Sequence, residues 1–337
     1  MSLKRITVSF ALLVLVVVPA HAGSWTSGKV KNPSGSLEYK LFVSSAYRKE
    51  KPVPLVLMLH GCTQKAEELA AISGFNELAD KNNFLVAYPE QSVAANPLKC
   101  WNWFDPKHQA RDTGEPSLIA AVVQDIRASY SIDEKRMYAV GISAGGAMAV
   151  VMGTAYPELF AGLAVIAGTE YKAGSTVQDG LAAMKQGGPD PNQQGLLAFQ
   201  AIRKSAAGPV TRLPLIVFQG TKDPYLNPVN ADQLIAQWAQ THDYLDDDKD
   251  NDSVNVQTAI EKTVVVPNGY RVTKYSYNDS KGHLLIEKWI VEGLGHAWPG
   301  SSVANPFADV KGPNATEEMW RFFSETTSGA KPKAGNE

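Results

Sequence analysis

Three side chains in this sequence have the types, order and surroundings that acyl transfer requires: Ser143, Asp223 and His296. Ser143 stands at the centre of Gly141-Ile142-Ser143-Ala144-Gly145. A G-x-S-x-G is weak evidence by itself, so its context must carry it. The apolar residues 137–140 lead in, and the small residues Ala144, Gly145, Gly146 and Ala147 lead out. Strand, sharp turn and helix in that order lift a serine hydroxyl clear of a sheet, where it can act as a nucleophile.

Such a serine needs a base and an acid, which follow it in the order acid, then histidine. Three histidines follow Ser143. His242 ends a helical pattern beside acidic residues and reads as surface. His283 opens a strand and reads as facing a strand neighbour. His296 lies in Gly293-Leu294-Gly295-His296-Ala297-Trp298-Pro299-Gly300, a glycine-flanked loop after the strand-like residues 284–291, and is the predicted base. Asp223 follows the apolar residues 215–218, in Gln219-Gly220-Thr221-Lys222-Asp223, and is the predicted acid. It would hold the imidazole in the reactive tautomer and stabilise the imidazolium.

The tetrahedral oxyanion needs N–H donors placed in advance. Ala144, the residue after the nucleophile, supplies one; the second is expected from Cys62 in His60-Gly61-Cys62-Thr63, a loop after an early strand. Cys62 and Cys100 are the two cysteines of the chain. In an oxidising compartment they are expected to pair. The bridge would pin the oxyanion loop to Trp101-Asn102-Trp103-Phe104 and stabilise the fold by about 4 kcal/mol. Trp101, Trp103 and Trp298 are candidate walls of a substrate site, since aromatic faces bind alkyl chains and sugars alike. Arg111 and Glu115 read as a structural ion pair.

No metal or organic cofactor is expected. Asp246, Asp248, Asp250 and Asp252 alternate within the acidic residues 243–252, but Asn251 and Gln257 stand where a calcium loop needs Gly and a bidentate Glu. There is no H-E-x-x-H, and no G-x-G-x-x-G after an early strand.

Strand-like and helix-like patterns alternate to position these residues. Residues 37–43, 54–59, 84–88, 136–142, 160–167, 214–218 and 283–291 read as strands. Residues 66–81, 117–129 (capped by Ser117), 144–154 and 229–240 read as helices. The alternation predicts an α/β fold with a mostly parallel central sheet flanked by helices. In such sheets ligands bind beyond the carboxyl ends of the strands, where all three candidate residues fall. Residues 168–212, rich in Gly, Gln and Pro, are expected to form a lid-like insertion. Asn314-x-x-Glu317 starts a last helix to about Phe323, and residues 324–337 read as a disordered tail.

The amino terminus carries Lys4 and Arg5, an uncharged stretch over 6–18, and Ala20-His21-Ala22. This is the pattern of a signal peptide of residues 1–22, so residues 23–323 form the expected catalytic domain, secreted or periplasmic. Removing the leader leaves 30 Lys and Arg against 34 Asp and Glu, a net charge of −4. That balance excludes nucleic acid as an expected partner, and no membrane association is expected after cleavage.

The blocks Leu59-His60-Gly61-Cys62-Thr63-Gln64, Cys100-Trp101-Asn102-Trp103-Phe104, Arg111-Asp112-Thr113-Gly114-Glu115-Pro116, the Ser143 elbow and Gly295-His296-Ala297-Trp298 together resemble the polyhydroxybutyrate depolymerase family of esterases. These are α/β-hydrolases related to secreted acetylxylan and feruloyl esterases. The resemblance runs over residues 39–322 and implies a serine carboxylester hydrolase with the triad Ser143, Asp223, His296 and an oxyanion hole from Cys62 and Ala144. It implies ester substrates, namely hydroxyalkanoate esters or oligomers, with an acylated polysaccharide as the alternative. The family often carries a Thr-rich or fibronectin-like linker and a separate substrate-binding domain; no counterpart follows residue 323, which favours soluble oligomers. A serine peptidase and a non-catalytic binding protein are the rivals of other classes on the same fold.

Overall fold

A computed structural model describes residues 22–327 apart from 207, 209 and 211. Residues 1–21 of the expected signal peptide 1–22, and residues 328–337 of the expected tail 324–337, lie outside the described residues. Ten strands build one sheet: β1 (Ser24–Asn32), β2 (Gly35–Val43), β3 (Val53–Leu59), β4 (Leu85–Glu90), β5 (Ile132–Ile142), β6 (Gly162–Ile166), β7 (Leu215–Gly220), β8 (Ile260–Val265), β9 (Arg271–Asn278) and β10 (Leu284–Val291). Their order is β1-β2-β4-β3-β5-β6-β7-β10-β9-β8. The central strands from β4 to β10 pair in parallel, and antiparallel pairs close both edges. With helices on both faces, this is the α/β-hydrolase arrangement that the alternation predicts.

The central strands are buried on both faces, which is why they read as continuous apolar runs. Their side chains divide by parity. Leu55, Leu57 and Leu59 of β3 join Leu163 and Val165 of β6 on one face, with α3 (Gly114–Ser129), α4 (Ala144–Ala155), α6 (Pro191–Ser205) and α7 (Val229–Asp247). Val56 and Met58 join Tyr138, Val140, Ile216 and Phe218 on the other, with α1 (Ala66–Ser73), α2 (Phe75–Asn82) and α8 (Ala315–Thr327). The period of two along each strand thus serves two cores.

Several boundaries differ from the sequence pattern. The single helix expected over 66–81 is two, broken at Gly74, whose φ of 66° caps one helix and starts the next. Helix α3 begins at Gly114, so Ser117 is not its cap; the Ser117 hydroxyl donates to the Gly114 carbonyl instead. Helix α7 continues to Asp247, and α8 continues to Thr327, so Ser324 to Thr327 are helical rather than tail. Asn314 does start α8, its side chain accepting from Glu317 N at 3.2 Å. Strands β1, β8 and β9 escape sequence reading because the two edge strands, β1 and β8, expose polar side chains and β9, next to β8, is mostly half-buried; β8 is exposed along nearly its whole length.

Residues 168–212 hold α5 (Val177–Gln186) and α6. Helix α6 lies so close to α7 that a Cβ on Gly195 would stand 2.6 Å from Gln240 Cβ. Among the described residues no helix is long and apolar enough to cross a membrane.

Candidate active site

The turn between β5 and α4 carries Ser143 at φ 59° and ψ −126°, a left-handed conformation that a non-glycine residue adopts only under constraint. The constraint is close packing. A Cβ on Gly141 would lie 2.1 Å from the Gly145 carbonyl oxygen, and one on Gly145 would lie 2.0 Å from that of Leu59. Both flanking glycines of the motif are therefore required by contact. Ser143 N donates to Ile166 O at 2.9 Å, tying the turn to β6.

His296 and Asp223 come from the loops after β10 and β7, parallel neighbours in the sheet. His296 Nδ1 donates to Asp223 Oδ2 at 2.7 Å, and both side chains are buried. The other carboxylate oxygen accepts from Tyr225 N at 2.8 Å and Leu226 N at 2.9 Å. Burial pushes the Asp223 carboxyl up, but the bond and charge of His296 and these two N–H groups outweigh it and hold it below its ordinary value. With its Nδ1 proton on Asp223, His296 keeps a lone pair on Nε2 for a hydroxyl proton. The two loops are stitched together: Lys222 N donates to Leu294 O at 2.9 Å, and Gly293 N to Thr221 Oγ1 at 2.9 Å. Gly220 permits this approach, since its Cβ would stand 2.3 Å from Leu294 O.

The loop after β3 reaches the same place. A Cβ on Gly61 would lie 3.3 Å from Ser143 Cβ. His60 is buried, and burial holds its imidazole below the ordinary value, hence neutral. Its Nε2 accepts from Gln91 N at 3.0 Å, so its Nδ1 carries the proton and donates to Gly61 O at 2.7 Å. In a trans peptide the N–H points opposite to the C=O. Fixing the Gly61 carbonyl on His60 therefore turns the Cys62 N–H to the other side. Cys62 and Cys100 form a disulfide, with Cα atoms 4.2 Å apart.

A cavity of about 420 Å³ opens beside these groups and is lined by Cys62, Ser143 and Ala144. Leu98, Trp103 and Phe104 wall one side. Val177, Leu181 and Met184, at i, i+4 and i+7 of α5, wall another, so the insertion contributes a wall of the site. Tyr225 and Leu226, whose N–H groups hold Asp223, line it too, and the Tyr225 ring meets His296 edge-on at 5.2 Å. The α5 stripe and Tyr225 were missed in the sequence, although the stripe's spacing was there to find.

Of the three tryptophans expected in the substrate site, only Trp103 lines the cavity. Trp298 is in the core: it packs edge-on against Phe75 at 6.1 Å and donates to Thr316 Oγ1 at 3.0 Å. The short strand β11 (Trp298–Pro299), paired with β12 (Ala308–Asp309), leads it away from His296. Trp101 is also fully buried, its indole donating to His60 O at 3.1 Å, so it buttresses the loop after β3 from behind. Arg111 and Glu115 do not pair. Arg111 binds Glu158 at 2.7 Å and lies over the Tyr156 ring, while Glu115 is buried among Asn102 and Gln91.

His242 is buried rather than at the surface, bonded to Trp238 O and accepting from Leu213 N, because α7 packs that face against the sheet. His283 is partly exposed just before β10, 3.3 Å from Asp279. In the acidic segment Asp243 is buried and accepts from Asn251 N at 2.8 Å and Ser253 N. Among the described residues no three His, Cys, Asp or Glu side chains are grouped to hold a metal ion.

The family model for esterase PHB depolymerases matches residues 37–259. Over 302 residues the chain is 31% identical to poly(3-hydroxyalkanoate) depolymerase C of Paucimonas lemoignei, covering 88% of this chain and 68% of that one. It is 29% identical to a probable acetylxylan esterase A of Aspergillus fumigatus, covering 63% of this chain and 57% of the relative. Among solved structures, an acetyl xylan esterase from Aspergillus awamori superposes with a TM-score of 0.66 at 18% identity, over 89% of this chain and 99% of that one. A feruloyl esterase module from Clostridium thermocellum does so with 0.55 at 11% identity, over 95% and 92%. At such identities these two likenesses speak for the fold. The family match and the identity to the depolymerase go further: this chain is a carboxylic ester hydrolase and belongs to the esterase PHB depolymerase family.

Proposed function

We propose that this chain is an exported serine esterase in which Ser143 is the nucleophile, His296 the base and Asp223 the acid, acting on hydroxyalkanoate esters or oligomers. The observation that carries the reading is the buried 2.7 Å Asp223–His296 pair, whose loop supplies Tyr225 and Leu226 to the cavity that Ser143 lines. Ser143 Oγ attacks the ester carbonyl carbon while its proton passes to His296 Nε2. The carbonyl π electrons move to oxygen, where the N–H groups of Cys62 and Ala144 receive the charge. As the tetrahedral centre collapses, the C–O bond to the alcohol breaks and the imidazolium returns the proton to that oxygen. Water then repeats the sequence on the acyl-enzyme, freeing the acid and Ser143.

The substrate class rests on the wall. Leu98, Trp103, Phe104, Leu181 and Met184 suit an alkyl-bearing acyl group, with Asn96 and Thr169 the polar exceptions along the wall. The depolymerase of P. lemoignei, similar over 88% of this chain, supports the same class. A second reading, an esterase of acetylated or feruloylated polysaccharide, draws on the aromatic faces of Trp103, Phe104 and Tyr225. Export is supported by the leader pattern of residues 1–22 and by the disulfide.

The test is hydrolysis of nitrophenyl acyl esters, hydroxybutyrate oligomers, amorphous polymer, acetylated xylan and methyl ferulate by the mature protein and its Ser143→Ala variant. Oligomer turnover lost in the variant is the expected result. Preference for acetylated xylan or ferulate moves the substrate to the second reading, and equal activity in both proteins refutes the role of Ser143.

A further inference from the structure

Residues 91–102 form a loop between β4 and α3 that supplies much of the cavity's surroundings. Asn96 and Leu98 line the wall, and Leu98 O accepts from Thr63 N at 2.6 Å. Cys100 is bonded to Cys62, and Gln91 N holds His60. One side chain that the proposed chemistry does not use binds both ends of this loop. Glu115, buried in the first turn of α3, accepts from Asn102 N at 2.7 Å on one oxygen. Its other oxygen accepts from Asn102 Nδ2 at 2.5 Å and Gln91 Nε2 at 2.5 Å.

Every group touching the carboxylate is therefore a donor, apart from the unprotonated His108 Nδ1, which lies 3.7 Å away and accepts from Glu115 N. The amides cannot turn round to suit a different partner. Gln91 Oε1 already accepts from Ser92 N at 3.0 Å, and Asn102 Oδ1 from Asn96 Nδ2 at 2.9 Å. Burial pushes the Glu115 carboxyl up to about 7 against the pull of these hydrogen bonds, but a proton on it would meet no free acceptor, so the surrounding donors suit the ionised form. Such a carboxylate costs desolvation energy, which a purely apolar contact would not. What it secures is the geometry of two segments at once. Through Gln91 it sets the backbone that binds His60, and His60 in turn fixes the Gly61–Cys62 peptide. Through Asn102 it sets the Cys100 anchor of the disulfide and the Asn96 side chain in the wall.

We propose that Glu115 is a positioning residue for ester hydrolysis, clamping residues 91–102 so that the Cys62 N–H meets the developing oxyanion. The proposal rests on the reading of Ser143 as nucleophile and of Cys62 as oxyanion donor. Its signature differs from that of a stability residue. A donor aimed at the transition state affects kcat and leaves substrate binding nearly unchanged.

The experiment compares the mature wild-type protein with Glu115→Gln and with the milder Asn102→Ala, on a nitrophenyl ester. A boronic acid serves as second probe; its boron takes up the serine oxygen and becomes tetrahedral, with a B–O⁻ that mimics the oxyanion. In Glu115→Gln an NH2 group replaces one acceptor oxygen and faces at least the Asn102 N–H donor, and kcat is expected to fall at least about tenfold with KM within about twofold. Boronate affinity is expected to fall by a similar factor, and Asn102→Ala to show a smaller loss of the same kind. Circular dichroism and melting establish that each variant is folded. A folded Glu115→Gln with wild-type kcat and boronate affinity, or with its whole loss in KM, overturns the proposal. If Glu115→Gln does not fold, Asn102→Ala decides, and unchanged kcat and boronate affinity there overturn it. Failure of the wild-type protein to turn over the ester or to be labelled by a fluorophosphonate is a separate outcome, which sinks the serine-esterase reading and this proposal with it.

Discussion

Replacing Asp223 by Asn changes one atom of the proposed triad and tests its logic directly. The two oxygens of Asp223 have different partners: one accepts from Tyr225 N at 2.8 Å and Leu226 N at 2.9 Å, the other from His296 Nδ1 at 2.7 Å. An asparagine keeps both backbone bonds only if its oxygen faces Tyr225 and Leu226, which puts its NH2 group against His296. Reversing the amide would break two short bonds to restore one to His296 and a long one, at 3.5 Å, from Gln219 Nε2. His296 must then accept at Nδ1 and carry its proton on Nε2, where it can no longer take the proton of Ser143. In serine-protease triads the same exchange costs about 10⁴ in kcat. Here, with the pair as buried and the amide held by two N–H groups, a loss of about 10⁴ in kcat is expected, equivalent to about 5.5 kcal/mol. The assay is turnover of nitrophenyl butyrate, with melting as the control for folding and fluorophosphonate labelling of Ser143 expected to slow in parallel. A folded Asp223→Asn protein that keeps more than about a tenth of wild-type kcat would refute the tautomer reasoning.

Gly145→Ala should destabilise the fold by several kcal/mol, since its Cβ would lie 2.0 Å from the Leu59 backbone; a melting temperature within a degree or two of wild type would contradict that contact. Removing the disulfide with Cys62→Ser and Cys100→Ser together should cost about 4 kcal/mol for a loop spanning 38 residues, read as a shift in denaturant midpoint. An unshifted midpoint would mean that the bridge does not restrict the unfolded chain. Complete burial of His242 lowers its imidazole to about 4, so between about 6.5 and 4 the unfolded chain takes up a proton that the folded one refuses. Stability should therefore fall as pH drops through that window, by about 3 kcal/mol from this residue. The gap between wild type and His242→Gln should narrow over the same range, and a constant gap from pH 7 to pH 4 would count against the buried neutral imidazole.

Local pattern in the chain is enough to place some parts of this protein. Continuous apolar runs between helical stretches identify the parallel centre of the sheet, because strands buried on both faces have no polar side to alternate with. The glycines around Ser143 mark the strand–turn–helix, and the glycine-flanked loop of His296 and the post-strand position of Asp223 mark the other two members of the proposed triad. Where side chains point once their loops turn depends on packing between distant segments. Trp298 lies two residues from His296 yet faces the opposite core, because β11 carries it toward α8. Trp101 and Trp103 alternate between the back of the loop after β3 and the cavity. Glu115 left Arg111, its apparent partner in sequence, for donors in Asn102 and Gln91 that no spacing connects to it. Pattern reports which face of an element is apolar, since that follows from backbone period alone. Which of two apolar surroundings a loop tryptophan enters, or which donors a buried carboxylate meets, depends on segments far apart in the chain, and only their packing brings them together.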